Sequence, residues 1–125
     1  MILFIISLVL VGFAAASEAI MDKLNFHFDK SIFSTKQNQL FWNPNESWKN
    51  KWKADLKTEK FPGSSTLFVF TTDAWHLFKF FKNTALFIGL PLLYLGGINI
   101  ILSIFIARFI YGVIFTLFFD KFLVK

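Results

Sequence analysis

The stretch that decides the fold is Ala85–Phe119, which reads ALFIGLPLLYLGGINIILSIFIARFIYGVIFTLFF and contains one ionised side chain, Arg108. The hydrocarbon core of a bilayer is about 30 Å thick, and about 20 apolar residues in helical form cross it. Ala85–Ala107 supplies that length before the first charge. Residues 84–119 are therefore predicted to be a transmembrane region, followed by a short tail at 120–125. Because this region is longer than one upright span requires, it is predicted to form a hairpin or a kinked span.

The composition of the whole chain agrees with a membrane location. Hydrophobic residues make up 55% of the 125 residues and charged residues 17%, whereas soluble domains carry about 25% charged residues. No cysteine is present, which excludes a disulfide framework, a thiolate metal site and a cysteine nucleophile. No motif implies a cofactor. The predicted fold class is an all-α membrane protein with two to three transmembrane helices and an interfacial amphipathic helix.

A second apolar segment covers residues 1–20 and contains no charge before Glu18. It is predicted to be either an uncleaved membrane anchor or a secretory signal peptide. The small residues Ala14–Ser17 resemble a cleavage site, but the basic n-region of a signal peptide is missing. The missing n-region favours the anchor.

Residues 21–65 form a basic, tryptophan-rich loop between the two apolar regions. Most of the excess positive charge comes from lysines between Lys23 and Lys60. Short loops rich in lysine and arginine stay on the cytoplasmic side of a membrane. The chain is therefore predicted to be a multi-pass membrane protein with this loop in the cytoplasm.

An amphipathic helix is predicted inside the loop, over residues 44–57. Asn43 suits the N-cap, Pro44 suits the first helical position, and Glu46 can reach back to the amide of residue 43. Helical spacing places tryptophans beside lysines, as in helices that lie in the headgroup region. The lipid bilayer is the expected partner, and nucleic acid is not, because the flanking spans keep this helix near lipid. The predicted interface residues are Trp42, Trp48, Trp52, Lys49, Lys53 and Arg108.

Residues 66–82 are predicted to form another helix, which begins after Ser64 or Ser65 and ends at 82–84. At 3.6 residues per turn, its polar side chains fall on one side. A helix with such a polar stripe either spans the membrane with the stripe towards protein or water, or lies in the interface with the stripe towards water. Both orientations remain open. The stripe consists of Thr72, Asp73, His76, Lys79 and Asn83.

Asp73 and His76 are the candidate catalytic residues. They are three positions apart on one helical face, a spacing at which a carboxylate can orient an imidazole or both groups can share a metal. His27 and Asp29 from the loop would complete a metal site, as would Glu18. The alternative interpretation is a polar stripe that packs against the loop, because structural ion pairs form similar clusters.

Three segments carry a resemblance to known proteins: Phe41–Pro44, Ser47–Lys51 and Thr72–His76, with Phe61 and Ser64–Thr66 between them. With these residues, about half of the chain, from 27 to 79, resembles short integral membrane proteins of Bacteroidota and their phages. No activity is established for that group. The resemblance therefore implies a bacterial inner membrane and assigns no catalytic role to any residue.

Three functional hypotheses follow from these patterns. The first is an accessory or assembly component of a membrane complex, which binds a membrane protein or associates with itself; the small residues Gly96 and Gly97 would allow close helix contact. The second is a small membrane enzyme or metal-binding protein that uses Asp73 and His76. The third is a pore-forming or holin-like protein, suggested by the size of the chain and by the phage members of the group that it resembles.

Overall fold

Three long helices and a folded loop make up the structure, a computed structural model that describes all residues 1–125. No strands are present, and β-pairing is limited to two isolated bridges. The all-helical class predicted from the sequence is confirmed. In chain order, the α-helices are α1 (Ile2–Phe26), α2 (Gln39–Trp42), α3 (Pro44–Ser47), α4 (Ala74–Leu95) and α5 (Ile100–Leu117).

Two of the helices are long and apolar enough to cross a membrane. They are Ile2–Phe26, with 25 residues, and Ile100–Phe122, with 23 residues once the π-helical turn after α5 is included; both have a mean hydropathy of 2.3. In the most apolar part of the second helix 11% of the residues are buried, against 44% in the first. The apolar surface of α5 therefore faces mostly outward.

The apolar stretch Ala85–Phe119 lies in a helical hairpin, one of the two predicted alternatives. The chain turns between α4 and α5 at residues 96–99, where Gly97 adopts a φ of +74° that L-residues avoid. Asn99 then caps α5, because its side-chain oxygen accepts hydrogen bonds from the amides of Ile101 and Leu102, at 3.0 and 3.2 Å.

Helix α1 is the centre of the bundle. It packs against both α4 and α5, whereas α4 and α5 make few direct contacts with each other. Small residues bring α1 and α4 together: a Cβ at Gly89 would lie 3.2 Å from Leu10 Cβ, and one at Gly96 would lie 3.0 Å from Phe4 Cβ. These contacts make α4 antiparallel to α1. A furrow therefore runs between α4 and α5, with α1 as its floor.

The loop is folded over one end of the bundle, which we call the loop end; the opposite end, with the turn at 96–99, is the tip. A buried cluster at the loop end joins Leu24 of α1, Phe33 of the loop and Leu123 near the C-terminus. The ring of Trp42 stacks on Phe33 at a centroid distance of 4.9 Å. The predicted tail is therefore part of the core, and Lys125 N donates to the carbonyl of residue 30 at 3.0 Å.

The predicted helix over residues 44–57 begins where expected and ends early. Asn43 Oδ1 accepts from the amide of Asn45 at 3.0 Å, as an N-cap does. After α3, a 3-10 turn covers Trp48–Lys51. The chain then reverses direction, and Trp52 forms an isolated antiparallel bridge with Glu59. The early end has a local cause, the aspartate that follows the turn. Its carboxylate binds amides ahead of it in the chain and competes with a helix for them.

The carboxylates of Asp55 and Glu59 stabilise this change of chain direction by accepting hydrogen bonds. Asp55 Oδ1 accepts from the amides of Lys57 and Thr58, both at 2.9 Å. The hydroxyl of Thr58 and these two amides lower the pKa of Asp55 from 3.8 to about 2. The hydroxyl of Ser65 and the amides of residues 63 and 65 lower the pKa of Glu59 in the same way. Both carboxylates thus stabilise the loop in their ionised form.

The predicted capping box at Asn43 does not form. Its backbone amide already donates to the carbonyl of Gln39, at 2.8 Å, because α2 ends there. Glu46 turns to Lys49 instead, with 2.6 Å between the carboxylate and the ammonium group.

The predicted helix over residues 66–82 is displaced along the chain. Helix α4 begins at Ala74 and continues through Asn83 and Thr84 without a break. The residues before it form turns, including a 3-10 turn over Val69–Thr71. Ser64, predicted as a cap, instead donates to the carbonyl of Lys51 at 2.7 Å. Exposed Asn and Thr are only weakly unfavourable in a helix, so 83 and 84 do not end it.

Candidate functional site

The first candidate site is the pair predicted from the sequence, Asp73 and His76. Asp73 is the N-cap of α4, and its Oδ1 accepts from the amide of His76 at 2.9 Å. Its Oδ2 lies 2.7 Å from His76 Nδ1. Asp73 is 3% exposed, so this carboxylate is buried and fully engaged. The two residues are in contact, and the contact stabilises the start of a helix.

A cavity of about 160 Å³ lies beside this pair and is also lined by Ser47, Lys51 and Trp75. The indole N–H of Trp75 is buried and has no hydrogen-bond acceptor in the chain. A carboxylate that orients an imidazole is an arrangement used for general acid–base chemistry. No hydrogen bond joins the hydroxyl of Ser47 to His76, so a nucleophilic triad is not assembled here.

The four predicted metal ligands do not meet in one place. His27 packs edge-on against the ring of Phe119, with centroids 5.4 Å apart, and Asp29 lies in a 3-10 turn over Phe28–Lys30. No group of three or more His, Cys, Asp or Glu side chains is close enough to hold a metal ion. The metal set proposed from the sequence is therefore not formed as a cluster.

The predicted interface residues within 44–57 do not share a helical face, because the helix predicted there ends early. Trp42 and Arg108 lie outside that segment. Trp42 is packed in the loop-end cluster, and Trp52 lies in the reversed segment that follows the 3-10 turn. Trp48 is 44% exposed, and its indole N–H donates to the carbonyl of Asn45 at 3.2 Å. Lys49 pairs with Glu46 as described, while Lys53 is exposed.

The two glycines predicted to mediate helix contact have different roles. Gly96 contacts α1 within the same chain, because a Cβ there would lie 3.0 to 3.3 Å from three atoms of Phe4. Gly97 has open space around it and serves the turn through its positive φ. Gly89, another small residue of the last apolar region, is the second glycine of the α1–α4 contact.

The second candidate site joins all three long helices and was not predicted. Glu18 of α1 contacts Lys82 of α4, with 3.2 Å between Oε1 and Nζ. The other oxygen of the same carboxylate accepts a hydrogen bond from the hydroxyl of Tyr111 in α5. A single carboxylate therefore ties α4 and α5 to the central helix.

Arg108 lies halfway along α5 and makes no ion pair with any carboxylate of the chain. The side chains of Phe105 and Phe109 beside it are 70% and 72% exposed. Its guanidinium extends over Gly112, with Nη1 3.4 Å from the point where a Cβ would be. Asp73, the buried carboxylate of α4, is not available to it, because that residue pairs with His76 at the loop end.

Arg108 marks the point where the furrow changes from polar to apolar. Towards the loop end a cavity of about 680 Å³ is lined by Glu18 and Asp22 of α1 and by Arg108 and Tyr111 of α5. Towards the tip a cavity of about 190 Å³ is lined mainly by hydrophobic side chains, and the same Arg108 and Tyr111 border it. The first cavity lies between α1 and α5, and only the second is also lined by α4; we refer to them as the polar end and the apolar end of the furrow.

The sequence contained weak signals for this second site. Glu18 and Asp22 are four residues apart at the end of the first apolar segment, and Arg108, Gly112 and Thr116 repeat at the same spacing in the last one. Four-residue spacing places side chains on one helical face. Which faces would meet depended on α1 lying between α4 and α5, and no local pattern encodes that.

Comparison with known proteins adds no relative: no protein-family model, no curated protein and no solved structure matches this chain.

Proposed function

We propose that this protein is a small multi-pass integral membrane protein that acts as an accessory or assembly component of a membrane complex. Support for the membrane location comes from the two long apolar helices and from the exposed side chains around the tip half of the bundle. Residues 2–17 and 83–107 contain no Asp, Glu, Lys, Arg or His. Large exposed hydrophobic side chains in this half include Ile5 and Val9 of α1, Phe87 and Leu90 of α4, and Ile101 and Phe105 of α5.

The proposed orientation places the loop end in the cytoplasm. Its support is the lysine excess of residues 21–65, since lysine-rich short loops remain on that side. The turn at 96–99, which carries no charged side chain, then faces the opposite side. The resemblance to membrane proteins of Bacteroidota and their phages supports a bacterial inner membrane.

The observation that carries the accessory role is the outer face of α4. Pro91 lies inside this helix and has no amide hydrogen, so the carbonyl of Phe87, one turn earlier, lacks the hydrogen bond that another residue at 91 would donate. The side chain of Phe87 is 82% exposed, and Asn83 is exposed on the same face. A groove of about 340 Å³ runs along Asn83, Leu86, Phe87, Leu90 and Pro91.

Lipid tails cannot satisfy polar groups in such a groove. A backbone carbonyl without a donor is costly in hydrocarbon, and neighbouring transmembrane helices commonly supply the missing hydrogen bond. Side chains such as Ser, Thr, Asn and Gln do so across helix interfaces. We therefore expect a partner helix that bears such a donor to dock on the outer face of α4.

The test is purification from native membranes in a mild detergent, with particle mass and co-purifying proteins measured together. Pro91→Ala restores the amide donor within α4, and Asn83→Leu removes the polar side chain. Each variant is expected to weaken partner retention by about 3- to 30-fold, the effect of one interhelical hydrogen bond. Phe105→Leu on the exposed face of α5 is the matched control. A wild-type particle of monomer mass without a partner, or full retention in both variants, would overturn the proposal.

A second candidate function is acid–base catalysis at the cavity beside Asp73 and His76. The observation in its favour is the 2.7 Å contact of His76 Nδ1 with a buried carboxylate, next to the unpaired indole N–H of Trp75. Hydrolysis of short p-nitrophenyl esters and the bound metal content would be measured for the purified chain. Loss of hydrolysis in His76→Gln with unchanged helicity would support catalysis. Equal rates in the variant and the wild type would remove this candidate.

A further inference from the structure

The polar end of the furrow contains one positive and one negative side chain that form no direct ion pair. The carboxylate of Glu18 is occupied by Lys82 and Tyr111. Asp22 and Arg108 border the same cavity of about 680 Å³, yet neither forms an ion pair. An unpaired charge near the hydrocarbon of a bilayer is costly and marks a functional site. Two opposite charges that face one cavity without touching fit a ligand that carries both charges itself.

Two apolar surfaces adjoin this polar cavity at Arg108. One is the apolar end of the furrow, between α4 and α5, bordered by Val11, Leu90 and Ile104. The other is the open outer side of α5 from Phe105 to Leu117, which is lined by residues of that one helix and flanks the polar cavity. A headgroup can lie in the polar cavity, one acyl chain in the groove between the helices, and the second acyl chain along the open face of α5.

The order of these parts along the bundle also matches a lipid. In the proposed orientation the loop end lies at the cytoplasmic surface and the tip lies towards the opposite side of the membrane. The polar cavity is at the loop end and the inner apolar groove extends towards the tip. Arg108 extends over Gly112, one turn nearer the loop end, as arginines do when they reach from hydrocarbon towards headgroups.

We propose that the furrow binds one diacyl phospholipid with an amine-bearing headgroup, with the phosphate at Arg108 and the ammonium at Asp22. Guanidinium groups bind phosphate through charge-assisted hydrogen bonds. A headgroup with a phosphate but no amine would leave Asp22 uncompensated and would face two carboxylates. The inference depends on the membrane location proposed above but not on a partner protein, because the polar end of the furrow shares no residue with the outer face of α4. The apolar end borders that face at Leu86 and Leu90.

The experiment is native mass spectrometry of the full chain, released from detergent after incubation with equal amounts of phosphatidylethanolamine and phosphatidylglycerol. We expect one phosphatidylethanolamine per chain, bound in preference to phosphatidylglycerol. Arg108→Gln is expected to lower the occupancy of both lipids about tenfold, because it removes a charged hydrogen-bond partner of the phosphate. Asp22→Asn is expected to remove the preference for the amine while phosphate binding remains.

Asp120→Asn and Lys121→Gln are the matched controls, because both residues are exposed just beyond α5 and outside the furrow. Gly112→Val tests the site without a change of charge, since the added side chain would occupy the space under the guanidinium. Circular dichroism would verify that each variant keeps its helices. Retention of phosphatidylethanolamine in both Gly112→Val and Arg108→Gln would contradict the proposed site.

Other outcomes would overturn the proposal in distinguishable ways. Equal binding of both lipids that Asp22→Asn leaves unchanged would mean adventitious lipid only. A lipid-free particle of twice the chain mass would mean that a second copy fills the furrow. A chain that binds no lipid but retains a partner protein, with retention weakened by Pro91→Ala, would support the accessory role and contradict the lipid site.

Discussion

The hydroxyl of Ser7 in α1 donates a hydrogen bond of 2.8 Å to the backbone carbonyl of Gly89 in α4. Such a short link between a side chain and the backbone of another helix requires the two helices to approach closely. Gly89 permits the approach, since a Cβ there would lie 3.5 Å from the carbonyl oxygen of Ser7. Close contact through small residues is a common way for helices to associate in membranes, where burial of apolar surface supplies little driving force.

The first prediction concerns the closest of these contacts. Gly96→Ala would place a Cβ 3.2 Å from Phe4 Cα, which is backbone and cannot move aside freely. Overpacking of this kind costs about 1 to 3 kcal/mol. Gly12→Ala is the control, because its Cβ would meet Ile114 at an ordinary 3.7 Å. Thermal unfolding in detergent, followed by circular dichroism, should show a lower midpoint for Gly96→Ala alone; equal midpoints would contradict the observed α1–α4 contact.

The second prediction separates the two roles of Asp73. Asparagine is a good N-cap and alanine is not, so Asp73→Ala should lower the free energy of unfolding by about 1 kcal/mol or more. Asp73→Asn should lower the free energy of unfolding much less, because the asparagine oxygen still accepts the hydrogen bond from the amide of His76. Denaturant titration in mixed micelles measures the free energy of unfolding of both variants. If Asn proves as harmful as Ala, the charge on Asp73 matters more than the cap.

The third prediction concerns the carboxylate that joins the three helices. Glu18→Gln and Tyr111→Phe should each lower the free energy of unfolding of the bundle by roughly 0.5 to 3 kcal/mol. The double variant should lose less free energy than the sum of the two single losses, because residues in one hydrogen-bond network couple. Equilibrium unfolding of all four proteins completes the cycle. Strict additivity would mean that the hydroxyl of Tyr111 does not bind this carboxylate in the membrane-mimetic environment.

The fourth prediction is a pH dependence of the loop. The pKa of Asp55 falls from 3.8 to about 2 because Thr58 and two amides bind the ionised form. A carboxyl group whose pKa is lower in the folded than in the unfolded state stabilises the folded state at pH values above its unfolded pKa. This contribution is lost as the pH falls through the folded pKa. The turn should therefore open between pH 4 and about 2, the interval between those two pKa values.

Nuclear magnetic resonance of the amides of Lys57 and Thr58 would follow this transition directly. We expect both resonances to titrate together, with a midpoint near the lowered pKa of Asp55. Asp55→Asn retains an acceptor oxygen without the charge and should abolish the titration. A midpoint near the ordinary value of a free carboxyl would contradict the hydrogen bonds seen at the turn.

Several parts of the fold could be predicted from the sequence because their causes are local. The length and hydropathy of two segments predicted apolar helices of spanning length, and Asn43 followed by Pro44 predicted the start of α3. The loop after Lys51 could not be predicted in the same way. Its residues have helical spacing, but the carboxylates of Asp55 and Glu59 accept hydrogen bonds from amides later in the chain, an alternative that periodicity does not reveal.

By itself the sequence determined which segments are apolar, where positive charge accumulates, and that Asp73 and His76 share a face. Only the tertiary structure decided that residues 84–119 fold back as a hairpin, that α1 lies between its two arms, and that Glu18 meets Lys82 and Tyr111. The physical reason is that hydropathy and helical period are properties of one segment. The meeting of charges on different helices depends on which faces pack, and that is decided by the small residues that let α1 approach α4 closely.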